Sequence, residues 1–151
     1  MSDASASTIA DWRYPAPYDF YNAVPDDPDL ADFMNADFRC GRYFEVVDAN
    51  GELAGFFEFK GEFDPMEIGL GLRPDLTGQG LGPKFVRAGM KYAREHLNAA
   101  DVSLTVAAFN QRAITVYERV GFREVERYQH HTNGADFLFV RMVCELERTT
   151  S

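Results

Sequence analysis

Leu72-Arg73-Pro74-Asp75-Leu76-Thr77-Gly78-Gln79-Gly80-Leu81-Gly82-Pro83 joins the end of an apolar β-type segment to the start of an amphipathic one, and its reading decides the fold. Glycines at alternate positions let backbone N–H groups converge without Cβ obstruction. A helix that starts directly afterwards adds unpaired donors and the positive end of its macrodipole. Pro83 has no N–H to lose in that first turn. The stretch therefore suits an anion such as a pyrophosphate. Two known phosphate motifs do not fit it. The phosphate-loop pattern places Lys-Ser or Lys-Thr directly after its last glycine, whereas Gly82 is followed by Pro83-Lys84-Phe85. A G-x-G-x-x-G dinucleotide fingerprint meets Pro83 if started at Gly78, and Phe85 if started at Gly80, where it requires glycine. A connector that only turns tightly is the competing reading of the three glycines.

Downstream of the turn, Phe85, Val86, Gly89, Tyr92, Ala93 and His96 recur at three- and four-residue spacing, which predicts a helix over 83–97 with one face on a sheet. Val102 to Ala107 reads as a buried strand, and Gln111 to Val120 as a helix stopped by Gly121. Phe122–His130 and Phe137–Leu146 form a closing hairpin across Thr132-Asn133-Gly134. Upstream, Tyr43–Asp48 and Glu52–Lys60 form a hairpin across Ala49-Asn50-Gly51, since Asn-Gly supplies positive φ angles, and Pro65–Leu72 is a third strand. The order ββ-β-α-β-α-β-β predicts an α/β (α+β) chain with a mixed, mostly antiparallel central sheet of six to seven strands and flanking helices. Residues 1–10, rich in Ser and Ala, are expected as a flexible tail. Pro15, Pro17, Pro25 and Pro28 exclude a long helix over the next stretch, and Asp29–Asn35 is expected as one short helix.

The whole chain is expected to be a single domain, because 151 residues leave no room for a second full core. Apolar residues make up 46% and charged residues 26%, which excludes a disordered or collagen-like chain. Fifteen Lys+Arg against 24 Asp+Glu give a net charge of −9, so the summed field repels nucleic acid and favours cationic partners. Cys40 and Cys144 belong to no His/Cys cluster, so no zinc site is expected and a reducing cytoplasm suits them. No apolar run has the length of a membrane span, and the first ten residues do not read as a signal peptide.

Three pieces acquire meaning together. Glu67-Ile68-Gly69-Leu70-Gly71-Leu72-x-Pro74, then Gly78-Gln79-Gly80-Leu81-Gly82, then Asn110-Gln111-Arg112-Ala113-Ile114-x-x-Tyr117-x-x-x-Gly121-Phe122 resemble, in order and spacing, the GNAT superfamily of N-acetyltransferases over residues of about 42–146. The resemblance implies acetyl-CoA as the acetyl donor, with no metal. It maps pantetheine contacts to Leu70, Gly71 and Leu72. Pyrophosphate contacts map to Gly78, Gln79, Gly80, Leu81, Gly82 and Pro83, and a further contact to Asn110. It also implies direct transfer to a primary amine of a small molecule or protein. A CoA-binding sensor or interaction module without turnover is the alternative. Thr77 stands where the family often has Arg or Gln, which removes a side-chain ligand but leaves the amide cradle. Thr105 stands where some protein N-terminal acetyltransferases carry a glutamate.

Acetyl transfer needs a proton for the departing thiolate and a sink for the proton of the amine. Resemblance assigns the first role to Tyr117, whose other reading is a core residue of an amphipathic helix. Glu67, on the strand before the turn, is the first candidate base, against a plain surface-strand carboxylate; Asp64 and Glu58 follow. His130 and His131 are adjacent on a strand and point to opposite faces, so they are read as structural. Trp12, Tyr14, Tyr18, Phe20 and Tyr21 either cover the sheet or line a pocket whose π faces would hold a cationic acceptor.

Overall fold

The protein is described by a computed structural model covering residues 1–61 and 65–146. Its strands are β1 (Tyr43–Val47), β2 (Leu53–Lys60), β3 (Met66–Leu72), β4 (Asp101–Ala107), β5 (Arg123–Thr132) and β6 (Ala135–Glu145). They form one six-stranded sheet in the order β1-β2-β3-β4-β6-β5. β3 and β4 run parallel, while β1–β2, β4–β6 and β5–β6 are antiparallel. The mixed, mostly antiparallel sheet with flanking helices is the predicted class, with six strands. Helices are α1 (Asp3–Ala10), α2 (Pro28–Phe33), α3 (Ala36–Arg39), α4 (Gly82–Leu97) and α5 (Gln111–Val120). Among the described residues no helix is long and apolar enough to cross a membrane.

Contacts group the chain into two compact units. The first comprises Met1–Glu58 and Leu70–Thr77. Here the expectation of a flexible tail fails, because residues 3–10 form helix α1. The Ser2 hydroxyl caps it by accepting from Ser5 N at 3.1 Å, and Ala6 and Ile9, one turn apart, are buried. Phe33 completes that core, with Trp12, Leu30, Tyr43 and Phe56 packed around it. Arg39 ends α3, a helix absent from the sequence reading, and is 1% exposed. It donates to the Phe33 carbonyl at 2.8 Å and pairs with Asp3, tying α1 to α2 and α3. At the β1–β2 connection Asp48 takes part. Its carboxylate accepts from Asn50 N and Glu52 N at 2.8 and 3.0 Å, so Gly51 (φ +79°) completes a longer turn than Asn-Gly alone would make.

The second unit comprises Phe59–Gly69 and the chain from Gly78 onward. Its core is Phe59, Ile68, Phe85, Val86, Val102, Leu104, Val106, Ile114, Phe122, Val140 and Met142, all buried. In the closing hairpin Asn133 (φ +50°) and Gly134 (φ +78°) form a two-residue turn with Thr132 opposite Ala135.

Candidate functional site

In the second unit the glycine turn leads into α4. Gly78 and Gly80 have φ of +71° and +79°, a region an L side chain rarely adopts. Gly82 serves a different need. A Cβ there would meet the two γ-methyl carbons of Val116 at 3.1 and 3.2 Å, so glycine lets the first turn of α4 lie against α5. The N-cap of α4, Leu81, offers no side-chain hydrogen bond, and its first turn holds no acidic residue. The helix thus starts with its donors and positive dipole end unanswered by its own side chains, as an anion site requires. Gly78, Gln79, Gly80 and Leu81 are exposed.

α5 supports this turn along one stripe. Arg112 Nη1 lies 3.7 Å from where a Cβ on Gly78 would stand, and Val116, four residues on, meets Gly82. The sequence reading gives Arg112 no role, although it lies inside the quoted Asn110–Ile114 run. Asn110 is buried, and its side-chain oxygen accepts from Ala113 N at 3.2 Å. It is therefore the N-cap of α5, a positioning role beside the cofactor contact that resemblance implied. Tyr117 lies about 100° round the helix from Val116. It is half-buried, with its ring centroid 5.9 Å from that of Phe122 in an edge-on arrangement.

Glu67 is half-buried on β3 in register with Ser103 of β4. Among the described residues its carboxylate has no hydrogen-bond or ion-pair partner. The β3–β4 ladder consists of Met66↔Val102 and Glu67↔Ser103, whereas β4 continues to Ala107 against β6. Thr105 is exposed and lies opposite Arg141.

In the first unit, the end of β3 is shaped by neighbours invisible in the motif. A Cβ on Gly71 would overlap the Phe56 ring, so close packing demands that glycine. The Leu72 carbonyl accepts a 2.8 Å bond from the Tyr14 hydroxyl, and burial pushes the Tyr14 pKa up to about 12. That carbonyl is engaged from within the chain, which narrows the pantetheine contacts expected of Leu72. Thr77 Oγ1 donates to the Pro74 carbonyl at 2.7 Å, closing the turn before the glycines. Glu58, a secondary candidate base, is 7% exposed and accepts from Arg42 Nε at 2.6 Å. It also holds the Tyr43 hydroxyl above its ordinary range, after burial as the larger cause. A carboxylate so enclosed is a structural partner. Asp64 lies outside the described residues.

Of the N-terminal aromatics, Trp12 is half-buried with its ring 6.5 Å from Phe56, while the half-buried Phe20 and the exposed Tyr21 stand edge to face at 5.1 Å. His131 Nδ1 is 2.9 Å from Asp136 Oδ1, and the His130 ring stands edge-on to Phe139 at 5.3 Å.

Similarity to known proteins follows the same geometry. The solved structures include a chimera of the Vibrio cholerae spermidine N-acetyltransferase SpeG with hSSAT, which superposes with a TM-score of 0.79 at 22% identity over 96% of this chain and 92% of that one. Spermidine N-acetyltransferase from Vibrio cholerae in complex with CoA and spermine superposes at 0.69, with 23% identity over 83% and 79% of the two chains. At such identities these structures share the fold. In sequence, the mycothiol acetyltransferase of Salinispora arenicola is 32% identical over 126 residues, 74% of this chain and 40% of that protein. The chain thus spans well under half the length of that relative. The N-alpha-acetyltransferase of Sulfurisphaera tokodaii is 38% identical over 58 residues, 38% of this chain and 35% of its own. The model of the acetyltransferase (GNAT) family matches residues 6–122, reaching from helix α1 through the glycine cradle to the end of α5, and the chain belongs to that family.

Proposed function

We propose that the chain transfers the acetyl group of acetyl-CoA directly to a primary amine. The observation that carries this reading is the start of α4: two glycines at positive φ, a third pressed on Val116, and a helix N-terminus without a side-chain cap. The amides of Gly78 to Gly82 would hold the pyrophosphate, with Pro83 contributing shape and no donor. Leu70, Gly71 and Leu72 would present backbone to the pantetheine arm, and Asn110 would fix the neighbouring end of α5.

In the transfer the amine nitrogen attacks the thioester carbonyl carbon, the C–S bond breaks, and the leaving thiolate takes a proton from the Tyr117 hydroxyl. A phenol near pKa ~10 and a thiol near ~8.5 are close enough that this proton transfer costs only about 2 kcal/mol. Glu67, directly or through water, takes the proton the amine loses. A cationic amine suits the net charge of −9 and the exposed Asp26, Asp29, Asp32 and Asp37 of the first unit. The thiols of Cys40 and Cys144 are free, which agrees with a cytoplasmic setting.

The test is acetyl-CoA-dependent thiol release across spermine, simple amines, amino acids and peptides, with a no-acceptor control. Release with one chemical class is expected, and with it a Tyr117→Phe variant whose kcat drops about 100-fold while its CoA affinity stays within about twofold. Silence with every acceptor, alongside intact CoA binding, would favour the module without turnover. Equal kcat in variant and parent would remove Tyr117 from proton transfer.

A further inference from the structure

Positive charge is scarce in this chain, with 15 Lys+Arg against 24 Asp+Glu, yet four cations line one cleft of the second unit: Arg87, Lys91, Arg94 and Arg123. The cleft has a volume of about 720 Å³, within the range of small-molecule sites. Arg87, Lys91 and Arg94 fall at i, i+4 and i+7, one stripe of α4, and Arg123 opens β5 just after the Gly121 stop of α5. At 1.5 Å per residue, Arg94 is roughly 18 Å along the helix from Gly82, so the cleft is separate from the glycine cradle.

Among the described residues the charges in this cleft are poorly compensated. Of these residues, Glu145 is the one carboxylate in its lining. Glu95 is shared at long range, 4.0 Å from Lys91 Nζ and 3.7 Å from Arg94 Nη2. Arg94 Nε is buried with no hydrogen-bond partner among the described residues, a donor whose desolvation is unanswered. Neither Arg87 nor Arg123 has a carboxylate at ion-pair distance among the described residues. Beside these cations stand Met90, Val143 and Leu146, which offer an apolar wall.

We infer that this cleft binds a small organic phosphate. Several guanidinium forks around one dianion give charge-assisted, multidentate bonds to its oxygens, which a lone carboxylate would only partly use. The body of the ligand would lie on the apolar wall.

Phenyl phosphate is the probe, titrated into the full chain at low salt by calorimetry, with benzyl alcohol as its uncharged counterpart. Saturable binding of the phosphate near one equivalent is expected, with none of the alcohol. Arg87 and Arg123 are both exposed, so Arg87→Gln and Arg123→Gln leave folding intact, as circular dichroism would verify. Each is expected to weaken phenyl phosphate by about fivefold or more while CoA affinity is unchanged. Saturating CoA should leave the phenyl phosphate affinity as it was. Absence of saturable binding up to about 10 mM overturns the proposal, as does equal affinity in both variants and the parent. Displacement by CoA would equally overturn it, because the phosphate would then occupy the cradle.

Discussion

Gly80 holds a φ of +79° with nothing within 4 Å of where a Cβ would stand, whereas Arg39, 1% exposed, is enclosed by the Phe33 carbonyl and Asp3. The first residue is constrained by its own backbone, the second by groups brought from elsewhere in the chain. Around Gly80 side-chain packing is absent among the described residues, and under the proposed function the exposed amides there face the ligand. Around Arg39 the chain joins three helices through one buried guanidinium, the Asp3 carboxylate and the Phe33 backbone carbonyl. On the proposed function, binding and stability fall to different regions, and substitutions in each should separate them.

The largest effect is expected at Arg39. Replacing it by Met leaves the Phe33 and Met1 carbonyls without their charged donor and unties the exposed Asp3, and orphaning these acceptors costs about 3 kcal/mol. Urea unfolding should show this loss, with CoA affinity changed little in the protein that remains folded. A loss below about 1 kcal/mol would mean that the apolar contacts of Ala6, Ile9 and Phe33 hold the segment alone.

Gly80→Val should do the reverse. A β-branched residue at positive φ costs roughly 1–2 kcal/mol of local strain, small beside the Arg39 effect. Acetyl-CoA affinity should drop about 100-fold, or ~2.7 kcal/mol, as the amides turn away. Unchanged affinity would take the pyrophosphate out of the cradle.

The same contrast explains what the sequence made legible. Glycines at 78, 80 and 82 before an amphipathic helix declare a turn and a donor cluster because the requirement lies within a few bonds of each residue. So do Asn133-Gly134 and the Gly121 stop. The reasons for Gly71 and Gly82 are not written locally, since Phe56 and Val116 lie 15 and 34 residues away in the sequence. Helix α1 was hidden for the same reason. Its Ser/Ala composition gives a weak apolar face, and its order depends on Arg39 and Glu45, 36 and 40 or more residues along the chain. Tyr14 reads as one more aromatic until its hydroxyl is found on the Leu72 carbonyl, 58 residues away.

Tyr14→Phe tests that last contact. Loss of one hydrogen bond should cost about 1 kcal/mol at neutral pH. The alkaline limb carries the sharper signature. The folded state keeps the hydroxyl protonated to about 12, so the contribution of Tyr14 is complete below the ordinary tyrosine value and is lost as pH rises through about 12. The parent should therefore lose stability over that window by a step that the phenylalanine variant lacks. Matching alkaline limbs would show that Tyr14 ionises as freely folded as unfolded.

The smallest effect is expected at Glu45, and it has the opposite pH sign. Its carboxylate accepts from the Ser5 hydroxyl at 2.6 Å and from Ser2 N at 3.0 Å, and the Ser5 bond, then the Ser2 backbone, hold its pKa below the usual glutamate range. A depressed folded pKa gives stability that is present above the unfolded value of about 4.3 and is lost as pH drops through the lower folded value. Because the group is exposed, the contribution should stay below about 1 kcal/mol. Protection of α1 against amide exchange, taken relative to the intrinsic rate at each pH, should thus fall below that window in the parent, and Glu45→Gln should make that protection insensitive to the same acid step. Exchange in Gly78–Lys84 should not respond to Glu45 at all, since no side chain caps that turn and its conformation is set by the glycines themselves. A matched response in both places would mean that the cradle leans on the N-terminal helix, and the division between a ligand-facing backbone and a side-chain clamp would have to be abandoned.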